Sequence, residues 1–467
     1  MCRDLKSKLE MYISGRNDKL DRALAEAGRM REGLRFENNA SGYVENGLDR
    51  SGTVKMGEAE TAGTVMKVNE SVFGRGTGGM EEAETSGLDV RDITDGAVCR
   101  NDEGACFVIE RMYPPSYLYG GFSIGDLSRL ELKALENVCA DFDESLCVKD
   151  LLFLDTETTG LSGGTGTVAF LAGVGFFCDD AFVLRQYFMR DYDEEPAMLK
   201  FLGELIERFR ALVTFNGKAF DWNILKGRFI FNRIKPLPAE PLHIDLLFPS
   251  RRIWKLKLGS CRLSSLEENI LGECRVDDVP GELIPSIYFK YLESRDAADI
   301  KRVMKHNGLD VLSMAALLAR ICRILANPLG EAEDEGELMG VGRILENRRE
   351  FDASIECYEM CVKSGRTSIR DAALRILPDI YKKSGDYEKA VRHWEGMIRN
   401  ASNLSIYPMI ELAKYYEHRE KDIPRALETV EEAVRLSIRL GLGNDLHRSG
   451  LLKRLERLKR KAARHRD

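Results

Sequence analysis

The run LLFLDTETTGLSGG, residues 151–164, constrains this chain more than any other stretch. Four apolar residues lead straight into Asp155 and Glu157, and glycines then break the pattern. A short apolar run bounded by turn residues reads as a buried strand. Alternate side chains of a strand share a face, so Asp155 and Glu157 point one way while Leu154 and Thr156 point the other. Two carboxylates side by side repel, and a divalent cation between them removes that cost. The alternative is a surface hairpin ending in two solvated acids, and D-x-E alone does not decide.

The flanking pattern predicts a sheet. TVAFLAGVGFF (167–177) and AFVLRQYFM (181–189) read as two strands of a hairpin. EEPAMLKFLGELIERFR then reads as an amphipathic helix with acids and Pro in its first turn. ALVTFN (211–216) and LHIDLLF are further strands, separated by the helix of KAFDWNILKGRFIFN. DLSRLELKALENVC (126–139) is expected to be helical. Three early strands followed by alternating helix and strand give an α/β class with a mixed sheet.

Two more groups can join the first pair of acids. Asp221, in TFNGKAFD, falls at a helix start at the mouth of the sheet, where α/β folds gather ligands; it can equally be only an N-cap. His306 and Asp310, in KHNGLDVLSMAALLARI, are four apart and share one helix face. A lone pair of that kind is more often a surface pair.

The order D-x-E, N-x4-D, H-x3-D resembles the four-acid (DEDD) 3′–5′ exonuclease superfamily. The runs FLDTETTGLSGGTGT, VTFNGKAFDWNILKGRF, DLLFPSRRIWK, LEENILG and HNGLDVLSMAALL are similar to the YprB-type ribonuclease H-like proteins of bacteria. The resemblance implies a ribonuclease H-like mixed sheet flanked by helices over 106–327. It implies that Asp155, Glu157, Asp221 and Asp310 hold two divalent cations, Mg²⁺ or Mn²⁺, with His306 as general base. Three residues separate His306 from Asp310, the spacing that tyrosine-type members use; histidine-type members have four between them.

The expected partner is single-stranded RNA or DNA, and nothing in the sequence selects between them. SRRIWKLKLGSCR (250–262) supplies Arg251, Arg252, Lys255, Lys257 and Arg262 without an acid, and Trp254 could stack on bases. The alternative is a solvated helix with Trp254 in the core. Lys218 and Arg228 flank the second motif and could reach phosphate, and Asn216 could orient substrate or cap the turn. SGGTGT could present amides to a phosphate but lacks the lysine of a phosphate loop.

The rest of the 467 residues organises around this block. Residues 1–34 read as a charged helical segment, and 35–105, rich in Gly, Glu, Thr and Ser, as a disordered linker. From 336 to 445 a period of 36 recurs: Phe351, Tyr387, Ile423; Ser354, Ala390, Ala426; Ile355, Val391, Leu427. It resembles an all-α tetratricopeptide-like array, a possible surface for a protein partner. Residues 446–467 read as a basic amphipathic helix that caps the repeats or touches nucleic acid.

A net charge of −7 advertises no global affinity for nucleic acid. Without an 18-residue apolar run or an apolar leader, the expectation is a cytoplasmic chain with no membrane contact. Eleven scattered cysteines without a CxxC pair fit reduced thiols better than zinc. Nuclease is the leading function; a catalytically quiet nucleic-acid-binding or protein scaffold is the alternative.

Overall fold

The computed structural model describes residues 88–139, 141–160, 166–235, 240–399, 405–441 and 446–464. The expected helix of 1–34, most of the expected linker and part of the SGGTGT run lie outside them. The described residues form two compact units. One holds 88–133, 141–247 and 262–322; the other holds 134–139, 248–261 and 323 onward.

The first unit is built on seven strands: β1 (Gly96–Asn101), β2 (Gly104–Tyr113), β3 (Leu151–Thr158), β4 (Ala169–Cys178), β5 (Ala181–Phe188), β6 (Ala211–Thr214) and β7 (Leu242–Asp245). Their order is β1-β2-β5-β4-β3-β6-β7. β3 is central, antiparallel to β4 and parallel to β6. Its Leu151, Leu152, Phe153 and Leu154 are all at most 1% exposed, which explains the unbroken apolar run. The β4–β5 hairpin matches its expected span. A register shift between Glu157 and Thr158 bends the strand where the acids emerge.

Helices α1 (Glu195–Ile206), α2 (Asp221–Phe231), α4 (Ile284–Ser294) and α5 (Ile300–Ala326) flank the sheet, with α3 (Leu247–Leu258) following β7. α5 lies close against β4 because β4 presents glycines to it. A Cβ on Gly173 would fall under 3.0 Å from the Asn307 side chain, and one on Gly175 would collide with Phe182 and Val311. Asp155 pairs with Gly173, and Gly173 with Gln186, in one row across β3, β4 and β5. Asn307 of α5 fills the gap in that row.

Two expectations are corrected here. Residues 126–139 are not one helix: only Ile124–Leu127 is α-helical, and Lys133–Asn137 is a 3₁₀ turn. Leu127, Leu132 and Leu135 are buried without sharing one continuous helix, so packing overrides helix propensity here. Ordered structure also begins before residue 106. Val90–Ile93 is a helical turn, and β1 pairs with β2 through a tight turn at Asp102–Glu103. As an edge strand β1 buries little, so its sequence carries a weak hydrophobic signal.

The second unit is helical: α6 (Glu335–Asn347), α7 (Phe351–Val362), α8 (Thr367–Ser384), α9 (Tyr387–Arg399), α10 (Tyr407–Tyr415), α11 (Ile423–Arg439) and α12 (Leu446–Arg464). Phe351, Tyr387 and Ile423 each open a helix, and Ser354, Ala390 and Ala426 are all fully buried. The period of 36 in the sequence is thus a period of helix pairs. α3 belongs to this unit through Trp254, whose Nε1 donates to Glu337 Oε1 at 3.1 Å, and through a close approach of Gly340 to the Arg252 and Ile253 backbone. In α12, Arg454, Arg457 and Lys461 converge on the buried Glu417, while Leu451 and Leu458 enter the core.

Gly173→Ala should lower stability by about 1–3 kcal/mol in denaturant unfolding, because the added methyl must displace Asn307. Gly227→Ala in α2 meets open space and should be neutral or stabilising by up to about 1 kcal/mol.

Candidate active site

The site forms where β3, the β6–α2 loop and α5 meet. Asp155 and Glu157 come from the end of β3 on one face, Asp221 is the first residue of α2, and His306 and Asp310 lie one turn apart on α5. Each carboxylate feels the others. Burial first, then the charges of Asp310, Glu157 and Asp221, hold the Asp155 carboxyl well above the usual range. Burial pushes Glu157 up to about 8 against the pull of His306, and Asp221 up to about 6 against a hydrogen bond from Thr156.

Each acid meets the protein differently. Asn307 Nδ2 donates to Asp155 Oδ2 at 2.8 Å and to the Asp155 carbonyl at 3.2 Å, while Asn307 Oδ1 accepts from Gln186 Nε2 at 2.8 Å. Thr156 Oγ1 donates to Asp221 Oδ1 at 2.5 Å. Asp310 Oδ1 is ion-paired to Arg275, which also binds Glu267. Glu157 Oε1 is buried and has no hydrogen-bond partner. His306 turns Nδ1 to Asp278 at 2.8 Å and Nε2 toward Asp310 at 3.7 Å. Burial opposes charge on this imidazole, but the Asp278 hydrogen bond and the charges of Asp310 and Glu157 push it up to about 9.

An open cleft of about 290 Å³ lies beside the acids, lined by Thr156, Glu157, Thr158, Asn216, Phe220, Gly281 and Pro285. Asp245 shapes its loop: Oδ1 accepts from the Asn216 amide at 2.8 Å and Oδ2 from the Lys218 amide at 3.2 Å. Asn216 adopts φ of 68°, a left-handed conformation that Asn tolerates. Gly217 follows because a Cβ there would strike Thr214. The Asn216 and Lys218 side chains are exposed on this loop.

The expected phosphate and base contacts divide. Trp254 is fully buried and hydrogen-bonded to Glu337, so it presents no free ring face to a base and takes the core role that the sequence left as the alternative. Arg228 is also buried. Its guanidinium makes a two-point ion pair with Glu195 at 2.6 and 2.5 Å, which leaves it no reach toward phosphate. Arg251, Arg252 and Lys255 are exposed on α3, within the helical unit. Arg275, Asp278, Glu267, Asn307 and Asp245 were not singled out from the sequence. Asn307 sat unremarked inside HNGLD, and Arg275 and Asp278 lie in a loop, where no periodicity marks them.

The donors fit a hard divalent cation in kind: all are carboxylate oxygens, and the orphaned Glu157 Oε1 lacks any other partner. In spacing they are open. Among the described residues no group of three or more His, Cys, Asp and Glu stands at metal-ligand distances. Asp310 Oδ1 is held by Arg275 instead.

Comparison with known proteins now places the chain. Residues 152–322 match the RNase_H superfamily. The uncharacterized protein YprB of Bacillus subtilis (strain 168) is 33% identical over 338 residues, covering 70% of this chain and 80% of that protein. The chain belongs to the YprB family. Its ribonuclease H-like domain ends at residue 322, where the first compact unit also ends, and the likeness to YprB runs well beyond that domain. Among the described residues of this family member, no helix is long and apolar enough to cross a membrane.

Raised folded-state values for Asp155, Glu157 and His306 mean that the metal-free fold binds more protons than the unfolded chain. The stability they contribute is present at low pH and lost as pH rises through about 8–9. In chelator, the melting temperature should fall on the order of 5 °C between pH 5.5 and 8.5, and Asp155→Asn should flatten that slope.

Proposed function

We propose that this chain is a divalent-metal-dependent nuclease, a 3′–5′ exonuclease acting on single-stranded RNA or DNA. The observation that supports this most is the meeting of Asp155, Glu157, Asp221 and Asp310 at the end of a central strand beside an open cleft, with one buried carboxylate oxygen unpartnered. Such a concentration of mutually repelling acids has a high electrostatic cost for a purely structural role.

Asp155, Glu157, Asp221 and Asp310 would hold two Mg²⁺ or Mn²⁺ ions. When bound, the ions would make water more acidic and offset charge on the attacking and leaving oxygens. With the cations bound, their charge would lower His306 from about 9 and free Nε2, the nitrogen that faces Asp310, to take the proton from the attacking water. Asn216 and Lys218 would meet the sugar–phosphate chain at the cleft lip, with Phe220 and Pro285 as apolar walls. The exposed Arg251, Arg252 and Lys255 would add phosphate contacts, and the helical unit, as a tetratricopeptide-like array, would bind a protein partner. The expected compartment is the cytoplasm.

The second reading is a catalytically quiet nucleic-acid-binding or protein scaffold. The Arg275–Asp310 ion pair favours it, because that pair occupies an acid the metal would need.

Single-stranded RNA and DNA labelled at the 3′ or 5′ end, incubated with Mg²⁺, Mn²⁺ or chelator, separate the two. Metal-dependent loss of 3′ label first, reduced at least about 100-fold by Asp155→Ala and by Asp310→Ala, is the expected result. Binding without cleavage, unchanged in both variants, would leave the scaffold.

A further inference from the structure

The loop 273–280 carries no secondary structure, yet α5 fixes it at several points. Arg302 donates to Asp277 Oδ1 at 3.2 Å and to the Asp278 carbonyl at 3.4 Å, and Lys305 Nζ donates to the Val276 carbonyl at 3.1 Å. Arg275 reaches back to Asp310 and also holds Glu267, whose Oε1 accepts from Ser313. The loop therefore presents Asp278 to His306 at a set position. Asp278 Oδ1 lies 2.8 Å from His306 Nδ1, and Asp278 Oδ2 lies 3.3 Å from Arg275 Nη1.

Arg275 Nη1 is also 3.2 Å from His306 Nδ1. A guanidinium only donates, and one imidazole nitrogen cannot accept from it while donating to a carboxylate. The shorter, charge-assisted contact is the one to Asp278, so Nδ1 carries the proton and Arg275 acts by clamping the far oxygen of Asp278. An unsupported imidazole has a broad, two-fold ring torsion and two tautomers. A carboxylate on Nδ1 selects one ring orientation and leaves Nε2 facing the acids.

We propose that Asp278, clamped by Arg275, is a positioning residue that orients His306 so that Nε2 faces the reacting water. The proposal rests on the nuclease reading. It assigns the hydrolytic step a second layer on a loop outside the four-acid pattern.

The full-length chain tests it in two ways. In steady-state hydrolysis of labelled single strands, Asp278→Asn should lower kcat roughly 10- to 100-fold and leave KM within about twofold. Asp278→Asn in a His306→Gln background should cost nothing further, because Asp278 acts only through the imidazole. Multiplying effects, or a raised KM with kcat intact, would overturn the proposal. The second readout needs no activity. With ¹⁵N-labelled histidine, the wild-type protein should show a slowly exchanging downfield Nδ1–H resonance, absent in His306→Gln and lost in Asp278→Ala. If that resonance is present and no strand is cut, the orientation of His306 stands and the nuclease reading fails. If strands are cut and the resonance is absent from the wild type, the positioning role falls and the nuclease reading stands.

Discussion

Asn307 is the joint on which the site depends. Its amide occupies the gap left by Gly173 in the row Asp155–Gly173–Gln186, accepting from Gln186 and donating to Asp155. The side chain is fully buried, so both halves of the amide need partners, and the row supplies them. One residue thereby fixes three things at once: how closely α5 approaches the sheet, where Asp155 points, and where His306 and Asp310 stand beside it. A larger residue at 173 or a non-amide at 307 would uncouple the helix acids from the strand acids.

Around that joint the acids are unequal. Asn307 supports Asp155, Thr156 supports Asp221 and Arg275 neutralises Asp310, whereas Glu157 has a buried oxygen with nothing to bind. Burial and mutual repulsion then favour protonated Asp155 and Glu157. This is an electrostatically strained cluster, and the loop carrying Arg275 and Asp278 brings one fixed cation to it.

Much of this was legible in the sequence because it follows simple periods. The unbroken apolar run of β3, the β4–β5 hairpin and the 36-residue recurrence of Ser354, Ala390 and Ala426 each state a burial pattern that the fold obeys. Asp155, Glu157, Asp221, His306 and Asp310 were picked out by their order and the resemblance it carries, and the fold brings their charges near one another. What escaped has no local period. Asp278, Arg275 and Glu267 come together only through the loop 273–280 packing on α5. The run at 250–262 misled for a related reason: its charges are real and Arg251, Arg252 and Lys255 are exposed, but Trp254 serves the core beside Glu337. Composition shows which residue types are present, whereas the helix face decides which of them meet solvent. Arg228 misled likewise, since its ion pair with Glu195 joins α1 to α2 across 33 residues of sequence.

The central claim is that the four carboxylates form one divalent-cation site. Anomalous diffraction from crystals of the full-length chain soaked in Mn²⁺ measures this directly. Manganese held by Asp155, Glu157, Asp221 and Asp310, with the Arg275–Asp310 pair opened, is the predicted result. Manganese bound elsewhere, with Arg275 still seated on Asp310, would contradict it.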